Sequence, residues 1–268
     1  MKALQYILYF LLISAVAGLI AYQAFVTKDL ETGDLVKAGL ILASILASMF
    51  RSPRKSSPAN KKTAYQKAYP EFIRTPFSDD PRLEKKFYSA VEDYNRDKPD
   101  TGLKKLTQLR GECKNSDERF SVTVFTALCL DDMGLYREAA KAYENALLIR
   151  PNSSLASNAG LCFQRMGDFE QAEAAYDRAI EIDPYNAYAY NNASAMYFRE
   201  GDYETALDYA EQAIDCNPNL KEALATAAVC HGLWNDTELF ESYYRRAVTA
   251  GYDGKKIKQR IRELDPTL

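Results

Sequence analysis

Residues 160–184 read GLCFQRMGDFEQAEAAYDRAIEIDP, and closely similar stretches stand directly before and after them. Each copy has a glycine and a later proline at one constant spacing: Gly134 and Pro151, Gly167 and Pro184, Gly201 and Pro218. Alanines stand five and twelve positions after every one of these glycines. Self-similarity at a period of about 33–34 residues is the signature of a repeat architecture.

Each column of the pattern has a physical reason. The glycine suits a left-handed residue at the end of a helix, and the proline prevents the following helix from continuing. The aromatic two positions after the glycine and the alanine five positions after it lie on one face of that second helix. Small residues seven positions before the glycine (Ala127, Gly160 and Ser194) let two helices approach closely. The pattern therefore predicts a helix–turn–helix unit in each copy.

These columns resemble the tetratricopeptide repeat (TPR), a helix–turn–helix unit of about 34 residues, and the resemblance covers three copies over about 117–218. It implies an all-α fold, a right-handed superhelix of antiparallel helix pairs (a TPR solenoid) whose first helices line a concave groove. Less regular copies flank the three and extend the predicted TPR domain to 82–268. They are the helix pairs Arg82–Arg96 with Asp100–Gly111 and Asn219–Trp234 with Glu238–Ala250, and a capping helix at Gly254–Leu264.

The N-terminus predicts transmembrane helices before the repeats. Residues 3–26 contain no charge and are long enough to span a bilayer, and a shorter apolar run, 35–50, follows a polar loop. Six cations and no acid occupy 51–67, which places that side in the cytoplasm by the positive-inside rule. We therefore expect a transmembrane hairpin in residues 1–50, with the TPR domain facing the cytoplasm. Cleavage as a signal peptide after Ala17 is the alternative for the first run.

Residues 51–81 have the composition of a basic, proline-containing linker, with five prolines among Ser, Lys and Asn. Its cations act as a topology signal or, alternatively, contact anionic lipid through 51–67. Four apolar residues could dock this segment onto the domain: Tyr65, Tyr69, Phe72 and Ile73.

The charge and the residue inventory exclude several functions. The whole chain carries −3, and because 1–50 is neutral and 51–67 carries +6, the remainder carries −9, which disfavours nucleic-acid binding. The single histidine, His231, stands in a column of packing residues, and no phosphate-binding glycine loop occurs. We interpret the five separated cysteines as reduced packing residues rather than a metal site. We expect no catalytic residues, no metal and no cofactor, hence no enzyme.

By the resemblance, the groove is lined by first-helix residues that packing does not use. In register these are Val124, Leu128, Ser157, Asn158, Leu161, Arg165, Tyr188, Asn191, Asn192, Ala195, Arg199, Glu222 and Thr226. Asn158 and Asn192 share the column in which family members often bind the backbone of an extended peptide, and an amide can donate and accept at once. Family members that bind chaperone C-termini use Lys and Arg side chains in this groove to hold the terminal carboxylate. At the corresponding positions of this sequence, only Asn158 matches that set of residues. The alternative for these polar residues is simple solvation of the concave face.

Three function classes are compatible with these patterns. The first is a membrane-anchored protein–protein interaction scaffold that binds a protein or extended peptide in the concave groove. The second is a structural subunit of a membrane complex that uses the hairpin and the outer repeat surface. The third, a helical-repeat RNA binder, is disfavoured by the acidic charge of the domain.

Overall fold

The computed structural model describes Tyr69, Phe72, Phe77 and residues 79–267. The predicted hairpin at 3–26 and 35–50 and the basic segment 51–67 lie outside these described residues. Within the described part of the chain, no helix is long and apolar enough to cross a membrane.

The described chain forms eleven α-helices and contains no strand. In order they are α1 (Pro81–Tyr94), α2 (Pro99–Arg110), α3 (Ser116–Asp132), α4 (Tyr136–Ile149), α5 (Ser153–Met166), α6 (Phe169–Ile182), α7 (Ala187–Glu200), α8 (Tyr203–Cys216), α9 (Lys221–Leu233), α10 (Thr237–Thr249) and α11 (Gly254–Leu264). Ten of them pair consecutively, and α11 packs against α9 and α10. The prediction of an all-α solenoid of helix pairs is confirmed.

The pairs stack so that their two helices form different layers. The first helices α5, α7 and α9 lie side by side, with α11 following α9 in the same layer. The second helices stand farther apart and are bridged by long side chains, as where Arg178 donates to Glu144 over 2.8 Å between α4 and α6. A stack whose first helices are closer together than its second helices curves toward the first helices. The layer α5–α7–α9–α11 is therefore the inner one.

The turns within the pairs have the backbone that the glycine column predicts. Gly134, Gly167 and Gly201 have φ of 74°, 78° and 85°, a left-handed conformation that glycine adopts without a Cβ penalty. The fourth pair has Asn235 in this place and keeps the conformation, with φ of 56°. Asparagine is one of the few other residues that tolerate it. The turn is thus retained where the glycine is lost.

Helix pairs meet at the small-residue column. A Cβ on Gly160 would lie 2.6 Å from the ring of Tyr176, which is fully buried and donates its hydroxyl proton to Gln164 Oε1 over 3.0 Å. Ser194 in the next pair uses its hydroxyl to donate to the Ala206 carbonyl at 2.7 Å. The residue in this column therefore sets how closely the two helices of a pair approach.

The interpretation of the cysteines as packing residues agrees with their places. All five are free, and Cys129, Cys162 and Cys230 are fully buried. Burial raises the pKa of each of these three thiols to about 12. A thiol with so high a pKa is almost wholly protonated at neutral pH and is a poor nucleophile or metal ligand.

The folded domain extends N-terminal to residue 82. Phe77 is 2% exposed and packs its ring 5.4 Å from that of Phe87. Tyr69 makes an edge contact with Phe125 on α3, with ring centroids 5.2 Å apart, and donates to Asn95 over 2.8 Å. Part of the segment predicted as a linker is therefore core, as the expected docking of Tyr69 and Phe72 requires. The other two docking candidates, Tyr65 and Ile73, lie outside the described residues.

The close contact at Gly160 generates a stability prediction. Gly160→Ala should lower the free energy of unfolding, because overpacking costs about 1–3 kcal/mol and the gain in helix propensity is at most about 1 kcal/mol. Gly111→Ala is the matched control: no atom lies within 4 Å of its added Cβ, and its φ of −73° suits alanine. That control should be neutral or stabilise by up to about 1 kcal/mol. Urea unfolding of a 62–268 fragment measures both, and equal effects would contradict the packing argument.

Candidate functional site

The candidate site is the exposed side of the inner layer, here called the first-helix face. It consists of the outward side chains of α5, α7 and α9. Of the residues predicted to line a groove, those that are at least partly exposed on these helices are Asn158, Leu161, Arg165, Tyr188, Asn191, Asn192, Ala195, Arg199, Glu222 and Thr226.

Three predicted groove residues do not lie on this open face. Val124 is fully buried and Leu128 packs against the same core, while Ser157 is only 3% exposed. The cause at α3 is the chain itself. Phe72 packs against this core and its carbonyl accepts a hydrogen bond of 2.5 Å from Ser121, a residue of α3. The groove columns of α3 are therefore covered from within the molecule.

The two asparagines of the shared column differ in their bonding. Asn192 donates from Nδ2 to Ser157 Oγ over 3.0 Å and so joins α7 to α5. Asn158 is half-buried, and its amide has no hydrogen-bond partner among the described residues. Asn191, also half-buried, has no such partner in the described chain either. One asparagine of the column is thus used in packing, and two amides remain on the face.

The three tyrosines of α7, which are Tyr188, Tyr190 and Tyr197, also divide into packed and exposed residues. Tyr190 is buried, and Tyr197 stacks on Tyr209 with centroids 5.5 Å apart while its hydroxyl donates to the Glu173 carboxylate. Tyr188, in contrast, is 62% exposed on α7. Tyrosine is enriched at protein–protein interfaces relative to the rest of the surface, so the exposed Tyr188 ring fits an interaction site.

The two arginines at the ends of α5 and α7 have different surroundings. Arg165 contacts Asp131 at 2.5 Å and lies over the ring of Tyr136 at 5.1 Å, so it is already engaged. Burial raises the pKa of Asp131 despite this neighbour. Arg199 is exposed and has no ion pair among the described residues. Of these two cations, Arg199 is therefore the one that the described chain leaves unengaged.

A cavity of about 480 Å³ continues the face beyond α7, between α7, α9 and α11. It is lined by Ala195, Phe198, Arg199, Ala225, Thr226, Val229, Tyr252, Lys256, Ile257, Gln259, Arg260 and Glu263. The residues from α11 were missed by sequence reasoning, which treated this Lys- and Arg-rich helix as a solvating cap. The signal was present: α11 holds five cations and one acid in an otherwise acidic domain.

The single histidine of the sequence is packed inside the described domain. His231 is buried, stacks on Tyr243 with centroids 5.4 Å apart, and has Asp236 Oδ2 at 3.6 Å from Nδ1. Its packed position agrees with the interpretation from the sequence. In the described part of the chain, no cluster of three or more His, Cys, Asp or Glu side chains is placed to hold a metal ion.

Residues 152–219 match the family model described as tetratricopeptide repeat. No curated protein sequence matches the chain. Among solved structures, the "MamA RS-1 ArsTM double mutant" is similar with a TM-score of 0.55 at 15% identity, over 63% of this chain and 94% of that one. "MamA 41-end from Desulfovibrio magneticus RS-1" gives 0.54 at 15% identity, covering 63% and 95%.

A tetratricopeptide repeat protein from Parabacteroides merdae ATCC 43184 is also similar, with a TM-score of 0.54 at 13% identity over 62% of this chain and 66% of that one. At such identities the likeness concerns the fold alone. The family match over 152–219, the repeat columns and the fold agree: the described domain is an all-α, TPR-like solenoid, a fold that suggests a protein–protein interaction scaffold.

The bonding of the asparagine column predicts different stabilities for two similar variants. Asn192→Ala should lower the free energy of unfolding by about 1 kcal/mol, because the buried Ser157 hydroxyl loses its partner. Asn158→Ala should be neutral or slightly stabilising, since alanine is the better helix former. Urea unfolding tests this. The double variant Ser157→Ala/Asn192→Ala should recover part of the unfolding free energy that Asn192→Ala loses. If Asn192→Ala costs the same with and without Ser157→Ala, the assigned hydrogen bond is contradicted.

Proposed function

We propose that this protein is a membrane-anchored, non-catalytic scaffold whose first-helix face binds an extended segment of another protein. The observation that carries the proposal is the pair of half-buried, unbonded amides, Asn158 on α5 and Asn191 on α7. A half-buried amide without a protein partner is stabilised by any group that both donates and accepts hydrogen bonds. The peptide unit of an extended chain is such a group.

The surroundings of the amides support a peptide as the ligand. Exposed Tyr188 offers an apolar surface with a polar tip beside Asn191 and Asn192. The inner position of the layer gives a ligand contacts with several helices at once. Neither Tyr188 nor the two amides serve the packing of the solenoid. The ring of Tyr188 is largely exposed, and both amides remain unbonded in the described chain.

The membrane part of the proposal rests on the sequence of residues 1–67. The uncharged run 3–26 is long enough to span a bilayer, and the six cations after the second apolar run favour a cytoplasmic position for the repeat domain. The scaffold would then present its first-helix face to cytoplasmic proteins at the membrane surface. If the next experiment shows no binding on the first-helix face, the alternative is a structural subunit that uses its outer surface.

Binding should depend on the Asn158 amide. Peptides selected from a random displayed library against a 62–268 fragment would serve as ligands. Asn158→Ala should weaken their binding by about 2- to 13-fold, the equivalent of one hydrogen bond of about 0.5–1.5 kcal/mol. Asn145→Ala, the same change at an exposed position of the second helix α4, is the matched control. Titration by fluorescence anisotropy gives both affinities. Equal binding by the two variants would show that the binding site does not lie on the first-helix face.

The orientation in the membrane can be measured in intact cells. Single cysteines, Thr32→Cys in the loop between the apolar runs and Ser57→Cys after them, are placed in a background without the five native cysteines. The proposed hairpin predicts that a membrane-impermeant thiol reagent labels position 32 and not position 57. Both positions should react after the membrane is permeabilised. Labelling of position 57 alone in intact cells would reverse the orientation.

A further inference from the structure

A second cavity, of about 370 Å³, lies between the end of α9, the start of α10 and α11. Its residues from α11 include Lys258 and Arg262, which stand two positions after Lys256 and Arg260 and therefore on the nearly opposite side of the helix. We call it the turn cavity, because Asn235, the turn residue of the fourth pair, lines it. Its volume is within the range of small-molecule sites.

The polar groups of the turn cavity are mostly hydrogen-bond donors. Lys258 and Arg262 are exposed and form no ion pair in the described part of the chain. Within the same part, Arg262 donates only from Nε, to the Lys258 carbonyl over 3.2 Å, so its other donors remain available. Thr237 begins α10, so its backbone N–H has no partner within the helix, and its hydroxyl is a further donor. An anion with several acceptor oxygens fits this set.

Asp236 is the one acid among the residues that line the cavity. Its Oδ1 accepts a hydrogen bond of 3.2 Å from the Leu239 N–H and so caps α10, while its Oδ2 lies 3.6 Å from His231 Nδ1. The carboxylate is therefore engaged on the side of α9 and α10. The two cations, Lys258 and Arg262, come from α11 and leave the cavity with an excess of positive charge in an otherwise acidic domain.

His231 also lines the turn cavity and is only 6% exposed. Both of its ring nitrogens are covered, and neither has a hydrogen-bond partner in the described chain. A buried N–H without an acceptor destabilises the fold, and in native proteins such a group usually finds a partner. Since no hydrogen bond holds the ring in its present orientation, a rotation of the ring can bring its N–H to a ligand in the cavity.

Phe240 and Ile261 give the turn cavity its apolar part. Ile261 is buried, whereas Lys258 and Arg262 are exposed, so the cations stand at the opening and the apolar surface lies deeper. Gly232 lets these apolar residues approach α9, because an added Cβ there would clash with Ile261 and lie 3.3 Å from Phe240. The cavity thus suits a molecule with an anionic end and an apolar end.

A phosphomonoester matches the donors better than a carboxylate does. At neutral pH it carries a charge of about −1.5 to −2 and three acceptor oxygens, which is enough for both Lys258 and Arg262. The N-terminus of α10 adds a free N–H and the positive end of the helix dipole, a combination that favours phosphate. A carboxylate has one charge and two oxygens, and would leave part of the donor set unused.

We propose that the turn cavity binds a phosphomonoester that is joined to a small apolar or aromatic body. Lys258, Arg262 and the Thr237 N–H bind the phosphate, and Phe240 and Ile261 pack against the body. The ligand contacts α9, α10 and α11 together and therefore fastens the last helix to the end of the solenoid. This site is separate from the first-helix face and does not depend on peptide binding there.

The test uses the full chain in detergent micelles with four probes: phenyl phosphate, inorganic phosphate, phenol and benzoate. The chain has one histidine and one tryptophan, His231 and Trp234, whose rings are in edge contact with centroids 5.9 Å apart. The nuclear magnetic resonance signals of the His231 ring and the fluorescence of Trp234 therefore report on this cavity. Phenyl phosphate should change both in a saturable way and bind at least about tenfold more tightly than each other probe, the equivalent of one bond to a charged group.

The variant Lys258→Gln/Arg262→Gln should weaken the binding of phenyl phosphate by about tenfold to hundredfold. Lys255→Gln/Arg245→Gln is the matched control, because it removes the same charge from exposed positions that line neither cavity. Arg245 also donates from Nε to a backbone carbonyl four positions earlier, as Arg262 does. The control should bind as the parent does, and circular dichroism verifies that both variants fold.

Two results of these titrations would overturn the proposal. One is equal binding of phenyl phosphate by the two double variants. The other is a parent chain in which phenyl phosphate changes neither the His231 signals nor the Trp234 fluorescence. Phenol binding as tightly as phenyl phosphate would likewise show that the cavity does not select a phosphate.

Hydrogen exchange measures whether the ligand fastens α11. With phenyl phosphate at about 100 times its Kd, the amides of α11 should exchange up to about 100-fold more slowly, because the helix detaches only after the ligand leaves. The amides of α5, which lie away from the cavity, should be unaffected. Equal exchange of α11 with and without the probe would overturn the bridging role.

A soluble molecule and a lipid headgroup can both carry a phosphomonoester, and one further measurement separates them. Phosphatidic acid, which has this group, or phosphatidylcholine, which lacks it, is added to the micelles. A change in the His231 signals with phosphatidic acid alone, lost in Lys258→Gln/Arg262→Gln, would assign the ligand to a lipid. A response to phenyl phosphate without a response to phosphatidic acid would assign it to a soluble molecule.

Discussion

The close approach of the two helices in each pair is the constraint on which the rest of the structure depends. At Gly160 the approach leaves no room for a Cβ beside the buried Tyr176 ring, and at Ser194 the hydroxyl is turned into a bond with the Ala206 carbonyl. Successive pairs then stack on one another, with the first helices α5, α7 and α9 in contact. The layer of first helices and its open face are consequences of that stacking.

The sequence predicted the parts of this structure that recur. Glycine, alanine and proline columns report local geometry, so the turns at Gly134, Gly167 and Gly201 and the helices around them follow directly from the pattern. Even Asn235, which breaks the glycine column, keeps the left-handed turn because its backbone requirement is the same. Structural requirements that recur in every repeat therefore appear as residue columns in the sequence.

The parts that the sequence did not predict are those that occur once. Val124 and Leu128 stand in groove columns, but Phe72 covers α3 from a segment with no repeat of its own. The hydrogen bond between Asn192 and Ser157 joins residues 35 positions apart, and no sequence pattern around either residue indicates it. The cations of α11 were visible, yet their place in a cavity depends on how the last helix docks, which the repeat pattern does not specify.

The covering of α3 also limits how long a ligand the open face can hold. The face that remains runs from α5 to α11, which is three spacings between neighbouring helices. At about 8–10 Å per spacing this is a path of about 24–30 Å, and an extended chain advances about 3.3 Å per residue. The open face thus has room for an extended segment of about seven to nine residues. A longer segment would have to extend beyond the solenoid at both ends.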